Sequence, residues 1–197
     1  MTAETAHVIA GLEASVVVYL AGNAAERRAL QGSAPGWRRW RTPEELRALH
    51  EAGHAIAQWV RGDCVWKLSI ILDKNVRIGK FGYLGGYSSA GITPEPPGTI
   101  ELPPRLDCDL RRAARTCQML SLWEPPYGWR GAVRVGHRLR ERTRELVDQH
   151  WHLIEALGGE LVRRQELDQA QIEAILTRAA PMPGPALCAS EGLAASG

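Results

Sequence analysis

Residues 42–62 constrain this chain more than any other stretch. Thr42 can cap a helix, Pro43 follows at N1 and Glu45 falls at N3. This is a capping box with proline where its missing N–H costs nothing. The predicted helix runs through Leu46, Leu49, His50, Gly53, His54, Ala57 and Val60 to a stop at Gly62. Inside it lies His50-Glu51-Ala52-Gly53-His54, an HExxH pattern. Helix positions i and i+4 are about 400° apart, so both imidazoles leave the same side, one turn apart. Two nitrogens so placed can reach one zinc ion at about 2.0–2.1 Å, and neutral imidazole binds zinc near neutral pH. Glu51 lies about 100° further round the helix. It cannot easily share that coordination position, but it can take a proton from an attacking water and return it to a leaving amine. Gly53 is read as leaving space beside the metal.

Around this helix the predicted order is helix, helix, small sheet, helix, long helix, short helix: mainly α with a small β-sheet. Residues 4–30 are rich in Ala, Val and Leu with few breakers, and residues 31–41 (QGSAPGWRRWR) form a loop. Residues 65–72 (VWKLSIIL) alternate and are β-branched, which predicts a strand next to the motif helix, able to hold an extended substrate. Residues 73–75 make a turn, and 76–87 supply one or two further strands weakened by glycine. Residues 88–104, with five prolines, read as loop. A helix over 105–122 places Leu106, Leu110, Ala113, Ala114, Cys117 and Leu120 on one apolar face. After a break at 123–130, one long helix spans about 131–164. Asp168 and Gln171 then open a last helix to about Arg178. The domain is expected over residues 1–178: N-terminal helix and loop to 41, HExxH helix at 42–62, sheet at 63–87, helical part at 105–178. The tail 179–197, of Pro, Ala, Gly and Ser, is expected to be disordered.

Composition bounds the partners. The chain of 197 residues has a formal net charge of +2, too little to dictate a partner. Its basic residues are nearly all arginine, and ten arginines fall between Arg105 and Arg144 against four acids. That excess reads as a solvated helix face rather than a nucleic-acid surface. No apolar run approaches the roughly 20 residues of a bilayer span. The longest, residues 16–21 (VVVYLA), reads as a core segment. With no basic leader at the N-terminus, a cytoplasmic chain is expected. Cys64, Cys108, Cys117 and Cys188 show no CxxC spacing, so neither a disulfide framework nor a Cys-rich zinc knuckle is indicated.

Residues 49–57 (LHEAGHAIA) resemble the HEAGHA segment of the FtsH-type ATP-dependent zinc metalloproteases. Residues 65–71 (VWKLSII) are similar to that family's V-x-K-x-S-I-I strand, and 109–113 (DLRRA) to its N-D-L-x-x-A-T segment. Residues 137–176 are similar to its C-terminal helices, so the likeness covers about 42–176. It implies a zincin-like helical peptidase domain that hydrolyses peptide bonds. Zn2+ would be held by His50, His54 and Asp109, Glu51 would be the catalytic base, and the fourth position would take the attacking water. From the residues alone, Asp107 and Cys108 rival Asp109 as third ligand. His137, His150 and His152 read as surface or packing residues, and Glu141 and Glu145 as arginine partners. Three features depart from the family. No G-x-x-x-x-G-K-[ST] occurs, so ATP dependence would need a separate ATPase. No membrane segment is seen. Residues 20–26 (LAGNAAE) resemble the family's L-A-G-R-A-A-E helix but precede HEAGH instead of following it. Unfolded or short peptides are the expected substrates. A peptidase-fold binding or regulatory module is the alternative.

Overall fold

The computed structural model describes residues 2–31, 41–71, 87–90, 109–123, 125 and 127–179, with backbone only at 87–90. Six helices and three short strands follow in the order α1 (Ala3–Gln31), α2 (Pro43–Val60), β1 (Val65–Ser69), β2 (Tyr87–Ala90), α3 (Asp109–Leu120), α4 (Trp129–Gln149), α5 (Trp151–Arg164), β3 (Glu166–Asp168) and α6 (Gln169–Ala179). The chain is thus mainly helical with a small sheet.

The capping box forms as the sequence predicts. The Thr42 hydroxyl accepts the Glu45 N–H at 3.1 Å, and the Glu45 carboxylate accepts the Thr42 N–H at 2.8 Å. Such a cap stabilises a helix start by about 1 kcal/mol. All ten residues 48–57 of α2 are buried, so α2 is the central helix, covered by α1 on one side and α5 on the other. Small residues set the α1–α2 spacing: Val18, Ala21 and Ala57 pack together, and a Cβ at Gly53 would stand 2.8 Å from the Ala21 carbonyl oxygen. Gly53 therefore allows α1 to approach. It does not open space beside the metal, as the sequence suggested.

The sheet is antiparallel with order β2-β1-β3. Leu68 pairs with Ser88 on one side and Leu167 on the other. Three readings change here. Residues 88–90 were expected in a loop, but they belong to β2, where backbone pairing with β1 makes up for an absent apolar pattern. The stretch 166–168 was expected only to open a helix, yet it is β3. Its Asp168 and Gln171 still form the expected reciprocal cap on α6, at 2.9 and 3.1 Å. β1 is then the middle strand and does not offer a free edge over Lys67–Ser69. The turn at 73–75, residues 76–86 and the tail from 180 lie outside the described residues, as do most of the loop at 31–41 and the remainder of 88–104.

The single long helix expected over 131–164 is two helices. His150, at φ −106° and ψ 18°, leaves helical geometry and separates α4 from α5. No glycine or proline marks the break. It lets α4 lie on α1 and α3 while α5 lies on α2. On α3 the apolar stripe is narrower than predicted: Ala113, Cys117 and Leu120 are buried, Ala114 and Leu110 exposed, and Leu106 lies outside the described residues. By length and composition α1 could cross a membrane, which the run-length reading missed. In this structure its second half is instead buried against its neighbours, Val16 and Ala21 completely. Cys64 is disulfide-bonded, although the cysteine spacing indicates no disulfide framework, and Cys117 is free and buried.

Candidate metal centre

The two motif histidines leave α2 on the side facing α1, as their spacing requires. His50 Nε2 and His54 Nε2 are 2.9 Å apart, with the rings edge to face. The chain then brings in an oxygen from 55 residues away. Asp109 Oδ2, at the first residue of α3, stands 3.4 Å from His50 Nε2 and 3.2 Å from His54 Nε2. Asp107 and Cys108, the rival third ligands, lie outside the described residues. Among the described residues, His50, His54 and Asp109 are the group arranged to hold a metal ion.

The opposite ring nitrogens explain why these faces converge. His54 Nδ1 donates to the Val18 carbonyl oxygen at 2.7 Å, and His50 Nδ1 faces Glu26 Oε1 at 3.1 Å as an ion pair. A carbonyl and a carboxylate only accept, so in each neutral ring the hydrogen sits on Nδ1 and Nε2 presents a lone pair. Two imidazole lone pairs and a carboxylate oxygen then point into one small space. Three acceptors so close repel unless a proton or a metal cation lies between them. Ligand atoms at about 2.0–2.1 Å around a tetrahedral ion are roughly 3.3 Å apart. The two contacts to Asp109 match that spacing, and the 2.9 Å between the histidines is a little tight.

α1 forms the other wall. A Cβ at Gly22 would stand 2.6 Å from His54 Nε2 and 2.7 Å from His50 Nε2, so any side chain there would fill the site. Gly22 is the residue that leaves the space attributed to Gly53. Val18, Gly22 and Glu26 recur every four residues, which puts them on one face of α1. None of the three was singled out as a site residue. The signal was the LAGNAAE segment, in which glycine and glutamate have the same spacing as the two histidines.

Burial and charge tune the cluster. Burial alone would lower the His50 pKa, but its hydrogen bonds to Asp109 and Glu26 outweigh this and raise it to about 9. Burial would raise the Asp109 carboxyl, and the two histidines overcome it and hold the group well below the usual carboxylate range. Glu51 is 3% exposed. Burial pushes its pKa above the usual value, against a partial opposing pull from His54 and His50. A carboxylate shifted upward is a better proton acceptor near neutral pH.

The remaining candidates lie elsewhere. His137 is exposed, His150 is the α4–α5 break itself, and His152 is the second residue of α5. Glu141 pairs with Arg144 at 2.5 Å. No protein-family model, curated protein or solved structure matches this chain.

Proposed function

We propose that this chain is a zinc-dependent metalloendopeptidase with an FtsH-like peptidase plan. The observation that carries the reading is the convergence of His50 Nε2, His54 Nε2 and Asp109 Oδ2 within 3.4 Å of one another, beside a buried glutamate. His50, His54 and Asp109 would hold the ion. Zinc, when bound, supplies a Lewis acid that polarises a carbonyl and makes a water acidic. Glu51 takes the proton of the attacking water and returns it to the departing amine. Val18 and Glu26 fix the ring orientations from behind, as partners of metal-bound histidines commonly do. Because β1 is paired on both sides, an extended substrate adds to a flanking strand, and β2 is the one that touches α2. The position of α1 against the histidines also fits a family helix moved ahead of the motif in sequence and kept in place in space. Loose or short peptides are the substrates, unless a separate ATPase unfolds and delivers others.

Purified protein should contain about one zinc per chain. Glu51→Gln should keep the metal and lose at least a hundredfold in casein or peptide cleavage. Protein that holds no zinc after reconstitution, or a Glu51→Gln variant with undiminished cleavage, rejects the reading. The 2.9 Å spacing of the two Nε2 atoms, a hydrogen-bond length, favours one second reading: a binding module whose cluster is closed by a proton. Metal analysis separates the two.

A further inference from the structure

A cleft of about 500 Å³ opens between α1 and α4 beside the start of α3. Arg27 and Arg28 stand on its α1 wall, Arg140 and Arg144 on its α4 wall, and Asp148 is the one acidic residue among the described lining. Two of these arginines are occupied. Arg28 pairs with Asp148 and lies over the Trp151 ring at 5.0 Å, and Arg144 pairs with Glu141. Arg27 and Arg140, one from each wall, are exposed and have no ion pair among the described residues. The cleft adjoins the metal centre in sequence at two points: Asn23 follows Gly22, and Leu110 follows Asp109. The position of Leu110 here also accounts for an apolar residue that α3 leaves half exposed, at 45%.

We propose that this cleft is a specificity subsite that takes an acidic side chain of the peptide substrate, clamped between Arg27 and Arg140. The inference rests on the peptidase reading and adds the substrate class. Two guanidinium groups that line one cleft without an ion pair of their own among the described residues repel each other, and a carboxylate between them removes that repulsion while accepting paired N–H donors from each. The volume lies within the range of about 300–1,000 Å³ typical of small-ligand pockets, enough for a glutamate and its flanking backbone. A nucleic-acid strand fits less well. The described lining residues include no aromatic ring for base stacking, and the basic groups form a pocket instead of a track along a backbone.

The test uses zinc-loaded Glu51→Gln protein, which binds without cutting, and two labelled unstructured peptides that differ only in two adjacent glutamates against two glutamines. Fluorescence anisotropy at low salt should show the glutamate peptide binding about tenfold tighter. The preference should vanish in Arg27→Gln/Arg140→Gln, survive in the control Arg178→Gln, and reverse toward a lysine peptide in Arg27→Glu/Arg140→Glu. Circular dichroism and the melting midpoint confirm that each variant is folded. Equal binding of the two peptides overturns the proposal, as does a preference that persists without Arg27 and Arg140. So does a single-stranded oligonucleotide of equal charge that binds more tightly through the same two arginines. A glutamate preference that depends on these arginines, in wild-type protein that cleaves nothing, would support the subsite and reject the peptidase reading.

Discussion

The two larger hydrophobic cores among the described residues are built differently. The first gathers α2, α5, α6 and the sheet around Ile56, Leu68, Leu157, Leu167 and Leu176, with Ala25 and Ala29 reaching in from α1. The second joins α1, α3 and α4 through Val16, Leu20, Ala113, Cys117, Leu120 and Leu139. The candidate metal centre lies on the seam. His50 and His54 belong to the helix at the heart of the first core, whereas Asp109 opens a helix whose buried side belongs entirely to the second. The spacing of the histidines is a local property of one helix. The third ligand depends on how well the second half docks. A bound cation would tie the halves together, so metal binding should report on the second core and not on the first.

Matched cavities test that asymmetry. Leu139 and Leu157 are both at least 99% buried, one in each core. Leu139→Ala and Leu157→Ala should each cost about 2–5 kcal/mol in metal-free unfolding experiments. Only Leu139→Ala loosens the packing under α3, so zinc affinity, measured against a competing chelator, should fall about tenfold or more in that variant and stay near wild type in Leu157→Ala. Equal losses in the two would mean the halves are not energetically distinct at the site.

The same division explains what the sequence revealed. The first half was legible because its signals are local: the Thr42 capping box, the i, i+4 histidines, the alternation in β1, the Asp168–Gln171 cap. The second half is held by contacts far apart in sequence. Nothing local says that Gly22 must face the histidines, since that follows from the α1–α2 packing at Ala21 and Gly53. The break at His150 escaped for the same reason. Its cause is that α4 and α5 serve different cores, and its own residues carry no breaker. β2 was missed because a strand paired through its backbone needs no apolar alternation. Of the candidate site, the pairing of His50 with His54 was readable from spacing, the approach of Asp109 was expected only from the family resemblance, and Val18, Gly22 and Glu26 needed coordinates.

Without metal, the seam is closed by a proton on His50, and pH should show it. The folded-state pKa of His50 is raised from 6.5 to about 9. A raised value gives stability that is complete below the unfolded pKa and is lost as pH climbs through the folded one. Metal-free protein should therefore lose on the order of a few kcal/mol between pH 6.5 and 9. Asp109, whose pKa is lowered, contributes above its unfolded value, so its part fades only on acidification. On the proposed reading zinc would compete with the His50 proton, and its affinity should rise over the window in which metal-free stability falls. Parallel pH curves from thermal melts and chelator competition check this. A flat metal-free curve would show that no proton bridges the halves.

Two glutamates of α1 separate support of the site from support of the fold. Glu26 holds His50 Nδ1, while Glu13 pairs with Arg138 and Arg142 of α4, within the second half. Glu26→Gln should lower zinc affinity by about 10–100-fold. Glu13→Gln should leave it unchanged and cost at most about 1 kcal/mol, as expected for pairs with exposed arginines. If Glu13→Gln weakened zinc as much as Glu26→Gln, the effect would come from helix docking and not from the imidazole contact.

Three glycines give the smallest and finest test. At Gly53 an added Cβ would meet the Ala21 carbonyl oxygen at 2.8 Å and the Ala25 Cβ at 2.9 Å. These belong to α1, so the clash falls on the seam, and a backbone oxygen cannot move without its helix. At Gly158 of α5 the obstacle is Leu49 Cδ2 at 2.9 Å, inside the first core and at the end of a side chain that can turn. At Gly159 nothing lies within 4 Å. Alanine gains up to about 1 kcal/mol over glycine within a helix, whereas overpacking costs about 1–3 kcal/mol. Gly53→Ala should therefore be the most destabilising and should also weaken zinc, because pushing α1 away carries Glu26 and Val18 with it. Gly158→Ala should be mildly destabilising with zinc affinity intact, and Gly159→Ala stabilising by about 0.5–1 kcal/mol. Urea unfolding and zinc titration of the three variants separate the two effects. A Gly53→Ala protein that melts early yet binds zinc normally would mean that α1 contributes packing to the centre and no ligand support.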